Sequence, residues 1–231
     1  MLEHGGNLHD VIQRYGRPRE EWLDLSTGIN PHWFSVVPLA ENCWHRLPET
    51  SDTLIRSAQR YYGVTAVLPV AGTQAAIQAL PRLRAASKVV VAAPSYAEHL
   101  HHWQLQGHDV RQVPYASLAG VVGDCDVMVV CNPNNPTGEK IAPEQLGEWA
   151  KRLAARGGWL VVDEAFADMT PGTSIAHLAD QPGLIVLRSV GKFFGLAGLR
   201  LGFVAAAPEL LVRLADMLRG GTDSPRPQHV R

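Results

Sequence analysis

Runs of continuous apolar residues, each closed by turn-forming or polar residues, constrain the fold of this chain more than any other feature. Lys88–Ala93 (KVVVAA) stops at Pro94, and Val127–Cys131 (VMVVC) stops in a Pro/Asn-rich turn. Trp159–Val162 stops at two acids, and Val67–Val70, Val110–Val113, Leu184–Leu187 and Phe203–Ala206 are further runs of the kind. A strand that is apolar on successive residues is buried on both faces. Alternation with helical patterns then gives a mostly parallel sheet covered on both sides, a three-layer α/β domain. Helices are expected over Asn7–Tyr15, Ser51–Tyr62, Thr73–Leu83, Tyr96–Gln106, Pro143–Ala155 and Pro208–Leu218. Ser51 or Asp52 can cap the second of these, and Pro143 suits a first turn. Functional groups in such a sheet gather where strand ends meet loops.

Composition narrows the partners. The 21 basic and 22 acidic residues nearly cancel, so neither a nucleic-acid surface nor a charged tail is expected. No apolar stretch approaches the ~20 residues of a membrane helix, and the N-terminus lacks a basic region before an apolar run. The three cysteines, Cys43, Cys125 and Cys131, have no CxxC spacing, which fits a reduced cytoplasm.

Three segments carry chemistry. Ser189–Gly202 (SVGKFFGLAGLRLG) sets Lys192 among closely spaced glycines, which let backbone approach a ligand. Ser189 and Arg200 flank it as anion donors, and a guanidinium matches a phosphate's geometry. Asn132–Gly138 (NPNNPTG) follows a strong strand. Asp163-Glu164-Ala165-Phe166 ends another. A weaker site is Gly72-Thr73-Gln74, whose free N–H groups at a helix start can cradle a phosphate. The cluster Glu98, His99, His101 and His102 reads as a polar helix face. No further ligand stands at recognisable spacing, so no metal is assigned.

The lysine segment resembles the S-x-[SG]-K-x-x-G-x-x-G-x-R-x-G signature of class I/II aminotransferases that use pyridoxal 5'-phosphate (PLP), of fold type I. The resemblance implies that Lys192 is the Schiff-base lysine and that Ser189 and Arg200 hold the cofactor phosphate with Gly72, Thr73 and Gln74. It places Asn135 at the phenolic O3′ and Asp163 at the pyridine nitrogen. Tyr96 resembles the aromatic that stacks on the ring. Tyr61, with Tyr62 as rival, resembles the tyrosine that reaches the partner subunit's phosphate in a homodimer. Many relatives carry Tyr where this chain has Phe166, which has no hydroxyl for O3′.

The N-terminus is similar to threonine-phosphate decarboxylases of cobalamin biosynthesis, on Glu3-His4-Gly5-Gly6-Asn7 and Leu25–Pro31 (LSTGINP). That likeness implies that His4, Gly5, Gly6, Asn7 and Asn30 meet a small phosphorylated amino acid. It further implies that L-threonine O-3-phosphate loses CO2 to give (R)-1-aminopropan-2-ol phosphate. The alternatives are a histidinol-phosphate-type aminotransferase, which shares the lysine, Asp and Asn motifs, and an inactive PLP-binding fragment. The expected organisation is an N-terminal arm over 1–50, a PLP-binding large domain over 51–218, and a disordered, aberrant tail over 219–231. In the family, an arginine that holds the substrate carboxylate lies in a small C-terminal domain, of about one hundred residues by ordinary domain size. The resemblance implies that this domain is missing here.

Overall fold

The computed structural model describes residues 5–45, 49 and 51–220. Helix α1 (Leu8–Tyr15) belongs to the N-terminal arm. Helix α2 (Asp52–Tyr62) follows, and its cap is Ser51, whose Oγ accepts the Leu54 N–H at 3.3 Å. The chain then alternates through β1 (Val67–Val70), α3 (Thr73–Ala79), β2 (Lys88–Ala93), α4 (Ala97–Leu105) and β3 (Asp109–Pro114). A single turn, α5 (Leu118–Val121), leads to β4 (Val127–Cys131), α6 (Pro143–Ala154), β5 (Trp159–Asp163), β6 (Leu184–Ser189), β7 (Gly202–Ala206) and α7 (Pro208–Gly220). The helix expected over Thr73–Leu83 tightens at Leu80 into a 3-10 turn. Pro81 has no N–H to continue the α pattern there. Helix α7 runs on to Gly220, through the first two residues expected to be tail. The remainder of that tail, 221–231, lies outside the described residues, as does His4.

The seven strands form one sheet in the order β1-β7-β6-β5-β4-β2-β3. The pairs β2–β3, β2–β4, β4–β5 and β5–β6 are parallel, and β7 is antiparallel to both its neighbours. The segment between β6 and β7 has no crossover helix, and a parallel return usually needs one. Because β7 reverses twice, β1 runs with the parallel strands. The C-terminal ends of β1, β2, β4, β5 and β6 therefore open on one edge, as does the entry to β7.

Two apolar layers sandwich the sheet. On one face, Ala58 of α2, Leu118 of α5 and Leu146, Trp149 and Leu153 of α6 pack on Val90, Met128, Leu160 and Val186. On the other, Ile77 of α3, Trp103 of α4 and Leu210 and Leu214 of α7 pack on Val91, Val129, Val161 and Ile185. Strands β4, β5, β6 and β7 are buried along their whole length. That is why they read as unbroken apolar runs. Each fully buried Leu or Val contributes about 1.5–3 kcal/mol, so this double-faced core is what fixes the positions of the strand ends.

Candidate active site

The lysine, Asn and Asp motifs leave the sheet at its shared edge and line one cleft. Its wall includes Gly72, Thr73, Gln74, Tyr96, Asn135, Asp163, Ser189, Lys192 and Arg200, together with Cys131 and Phe166. The register accounts for the meeting: Cys131 at the end of β4 stands beside Asp163 at the end of β5, and Asp163 beside Leu187 of β6. Residues far apart in sequence are thus neighbours.

One end of the cleft is built for an anion. Gly72 has φ +75°, and a Cβ there would come within 2.6 Å of an Arg200 Nη. Only glycine lets the guanidinium lie on that turn. Gly202 matters in the same way, since its Cβ would meet the Thr73 nitrogen at 2.8 Å. Arg200 itself adopts a left-handed conformation, φ 52°, braced by a hydrogen bond from Nη1 to the Ala197 carbonyl at 3.1 Å. Ser189 Oγ accepts the Gly191 N–H at 3.1 Å, which leaves its own proton for an anion. The Gln74 side chain turns toward α4, where its amide meets Glu98 and accepts from the Tyr96 hydroxyl at 3.3 Å. Among the described residues, this ties the anion turn to the aromatic wall.

The three asparagines of NPNNPTG divide the work. Asn132 is a brace, donating to the Ile141 carbonyl at 3.1 Å and accepting the Ile141 N–H at 2.8 Å. Asn134 is another, donating to the Pro94 carbonyl at 2.9 Å and accepting from the Tyr115 hydroxyl at 2.8 Å. Asn135 alone of the three lines the main cleft.

At the opposite end stands Asp163, 6 % exposed. Its Oδ1 accepts the Ala165 N–H at 3.0 Å and its Oδ2 meets His99 Nε2 at 2.9 Å. His99 corrects the expectation of a polar helix face over Glu98–His102. It is 2 % exposed and points into the molecule, while His101 stays outside. The buried carboxylate supplies the reason, because an acid inside the protein needs a partner. Burial opposes a charge on His99. Its hydrogen bonds to Asp163 and Cys131 outweigh that and hold its pKa up to about 10. An unfolded histidine titrates near 6.5, so the folded state holds the proton more tightly. The pair's stabilisation is full below pH 6.5 and lost as pH rises through 10. Denaturant midpoints are expected to fall across that window, and a His99→Gln chain measured the same way is expected to lose that fall.

Lys192 reaches into the cleft between these ends. Burial lowers its pKa below the usual lysine value, Asp163 opposes the shift, and Arg200 adds to it. Its Nζ lies 5.5 Å from the Phe166 ring centroid. The lysine loop is held from the arm: the Asn30 N–H donates to the Lys192 carbonyl at 3.0 Å, and Asn30 Nδ2 to the Phe193 carbonyl at 2.8 Å. Asn30 Oδ1 accepts the His32 N–H at 2.9 Å, so much of its amide is committed to loop geometry. A side cleft bounded by Gly28, Ile29 and Asn30 opens against Lys192 and Phe166. Gly5 and Gly6 pack on Ser26 and Thr27, and the Asn7 amide bonds Asp10. None of these three lines the main cleft. Tyr61 does not line it either: its hydroxyl donates to Asp168 at 3.3 Å and its ring lies 5.8 Å from Phe194.

The arrangement offers an anion cradle, a buried acid partnered by an imidazole, an amide unbonded among the described residues and an amine of lowered basicity. The family of aminotransferase class I and II matches residues 40–228, which runs into the stretch expected to be an aberrant tail. The chain belongs to this family. A threonine-phosphate decarboxylase from Pseudomonas aeruginosa is 52% identical over 230 residues, covering 100% of this chain and 70% of that protein. Among solved structures, an L-threonine-O-3-phosphate decarboxylase from Porphyromonas gingivalis superposes with a TM-score of 0.68 at 23% identity, over 76% of this chain and 58% of the other. A histidinol-phosphate aminotransferase from Sinorhizobium meliloti, in complex with pyridoxal-5'-phosphate, gives a TM-score of 0.61 at 25% identity, over 71% and 49%. The matched region therefore spans from about half to 70% of the length of these three proteins.

Proposed function

We propose that the chain is a PLP-dependent threonine-phosphate decarboxylase of cobalamin biosynthesis, taking L-threonine O-3-phosphate to (R)-1-aminopropan-2-ol phosphate and CO2. What carries the reading is the 52% identity to a decarboxylase of that name, in a chain whose cofactor-type groups all line one cleft. The residues present fit PLP. Gly72, Thr73, Ser189 and Arg200 would hold its phosphate, Asn135 its phenolic oxygen, and Asp163 its ring nitrogen, with Tyr96 beside the ring. Bound there, PLP supplies an electron sink for the bonding pair released at the substrate's α-carbon.

The chain's own groups supply the rest. His99 keeps the Asp163 carboxylate aimed into the cleft. Phe166 has no hydroxyl, so Asn135 is the side-chain donor for the phenolic oxygen. Lys192 Nζ returns a proton to the α-carbon after CO2 leaves, and the lowering of its basicity by burial favours giving up that proton. Gly5, Gly6 and Asn7, with His4, are assigned to the substrate phosphate, and Asn30 to the substrate. Paired glycines let backbone approach such a ligand, and the Gly6 N–H donates to Ser26 Oγ at 2.8 Å, which shapes the turn.

We place the enzyme in the cytoplasm as a homodimer. Supporting the dimer, Trp33, Phe34, Val36, Val37 and Leu39 are 62–81 % exposed, a run of apolar surface that association would cover. Tyr61 adjoins that run through Phe194, against which Phe34 also packs. No helix of the described residues is long and apolar enough to cross a membrane. The test of the activity is the product: PLP and O-phosphothreonine are expected to yield CO2 and the amino alcohol phosphate, with no keto acid. Accumulation of a keto acid in the presence of a 2-oxo acid acceptor would assign the aminotransferase reaction instead.

A further inference from the structure

We propose that, in the cofactor-free chain, His99, Cys131 and Asp163 form a binding site for a borderline-soft divalent cation, Zn2+ above all, and that this cation and the cofactor exclude each other. The exclusion rests on the proposed role of Asp163 toward PLP, whereas the cation site stands on its own geometry.

The three residues come from α4, the end of β4 and the end of β5. Their potential ligand atoms all lie within 4.8 Å of one another. All three are buried, at 2 %, 4 % and 6 % exposure, so water does not compete from the protein side. Cys131 and Asp163 also line the cleft. A cation held here would keep its remaining positions toward open space, as zinc sites with three protein ligands do. Imidazole, thiolate and carboxylate are zinc's own donor types, and the thiolate discriminates against Mg2+ and Ca2+.

Outer contacts orient the donors. Ser95 Oγ donates to Cys131 Sγ at 3.2 Å, and the Ala165 N–H donates to Asp163 Oδ1 at 3.0 Å. Such second contacts aim ligands and tune affinity. The cation would occupy the carboxylate that the cofactor ring needs, which is the ground of the exclusion.

The probe is Co2+, whose bond to a thiolate gives a near-ultraviolet charge-transfer band. Titrated into the cofactor-free chain, it is expected to give that band at one Co2+ per chain, and added Zn2+ is expected to abolish it. Cys131→Ser is expected to lose the band, and His99→Gln to weaken Co2+ binding at least tenfold. Cys131→Ala serves as a second thiol variant, and near-ultraviolet circular dichroism matching the parent shows that the variants are folded. Chain loaded with PLP beforehand, judged by the cofactor's own visible absorbance, is expected to give no cobalt band. No band in the parent, or a band that persists in folded Cys131→Ser and Cys131→Ala, overturns the site. A band that forms in PLP-loaded chain overturns the exclusion. Failure of PLP to bind at all counts against the proposed function and leaves the cation result standing.

Discussion

A Lys192→Ala chain is expected to bind no PLP that borohydride can fix. The parent, mixed with PLP and reduced, is expected to carry the cofactor covalently through digestion and mass analysis. Among the described lysines, Lys192 alone lines the main cleft, while Lys140 borders an adjoining pocket with Asn135 and Phe166. Lys192 reaches the cleft between the anion turn and Asp163. Lys88, by contrast, lies at the start of β2, the far end of a strand whose other end reaches the site. Loss of activity should be correspondingly deep, because the same Nζ is the proposed proton donor. A well-placed general acid or base contributes about 100- to 10,000-fold, and loss of the covalent attachment comes on top. An adduct of parental yield in Lys192→Ala, mapped to a different residue, would remove Lys192 from its role.

Asp163→Asn is expected to lower kcat by about 100- to 1000-fold, the scale of a lost preorganised electrostatic contact. Its effect on folding should be smaller, with one qualification that the structure adds. Besides its proposed role toward the cofactor ring, the carboxylate bonds His99 at 2.9 Å and the Ala165 N–H at 3.0 Å. Asparagine keeps the shape but not the charge. His99 should then release its proton and persist as a neutral imidazole against the amide. Steady-state kinetics would read the first effect and denaturant titration the second. Near-parental kcat would mean that the carboxylate does not face the ring nitrogen.

Much of this site was legible because its chemistry is local in sequence. Lys192, Ser189 and Arg200 sit in one segment; Asn135 lies in the turn after β4 and Asp163 ends β5, two strands whose apolar runs announce their burial. The sheet was legible for the same reason: residues such as Val129 and Val161 are apolar because both faces of the strand are covered. His99 was not legible. Helix α4 carries Glu98, His99, His101 and His102 together, and no spacing within it tells the fully buried histidine from the other two. The choice is made by Asp163, which reaches His99 from a different layer. The three asparagines share that ambiguity by spacing alone; the family resemblance singled out Asn135, and the fold adds that Asn132 and Asn134 brace the turn while Asn135 lines the cleft. Asn30 was expected to touch substrate, and the structure adds a second task, holding the lysine loop from the arm.

That last contact has a consequence for how the molecule loosens. The sheet's central strands are locked by packing on both faces, whereas the loop bearing Lys192 leans on the arm. The Asn30 and Phe34 N–H groups donate to the carbonyls of Lys192 and Phe194, and Gly195 packs against Asn30 and Trp33. Around those contacts the arm is largely exposed, so its own free energy of opening is small. The reactive amine thus inherits its order from one of the least protected parts of the chain. Amide exchange in the lysine loop should follow the arm's opening rather than the sheet's, and a protease that nicks the arm would disable the lysine while the core beneath it stays folded.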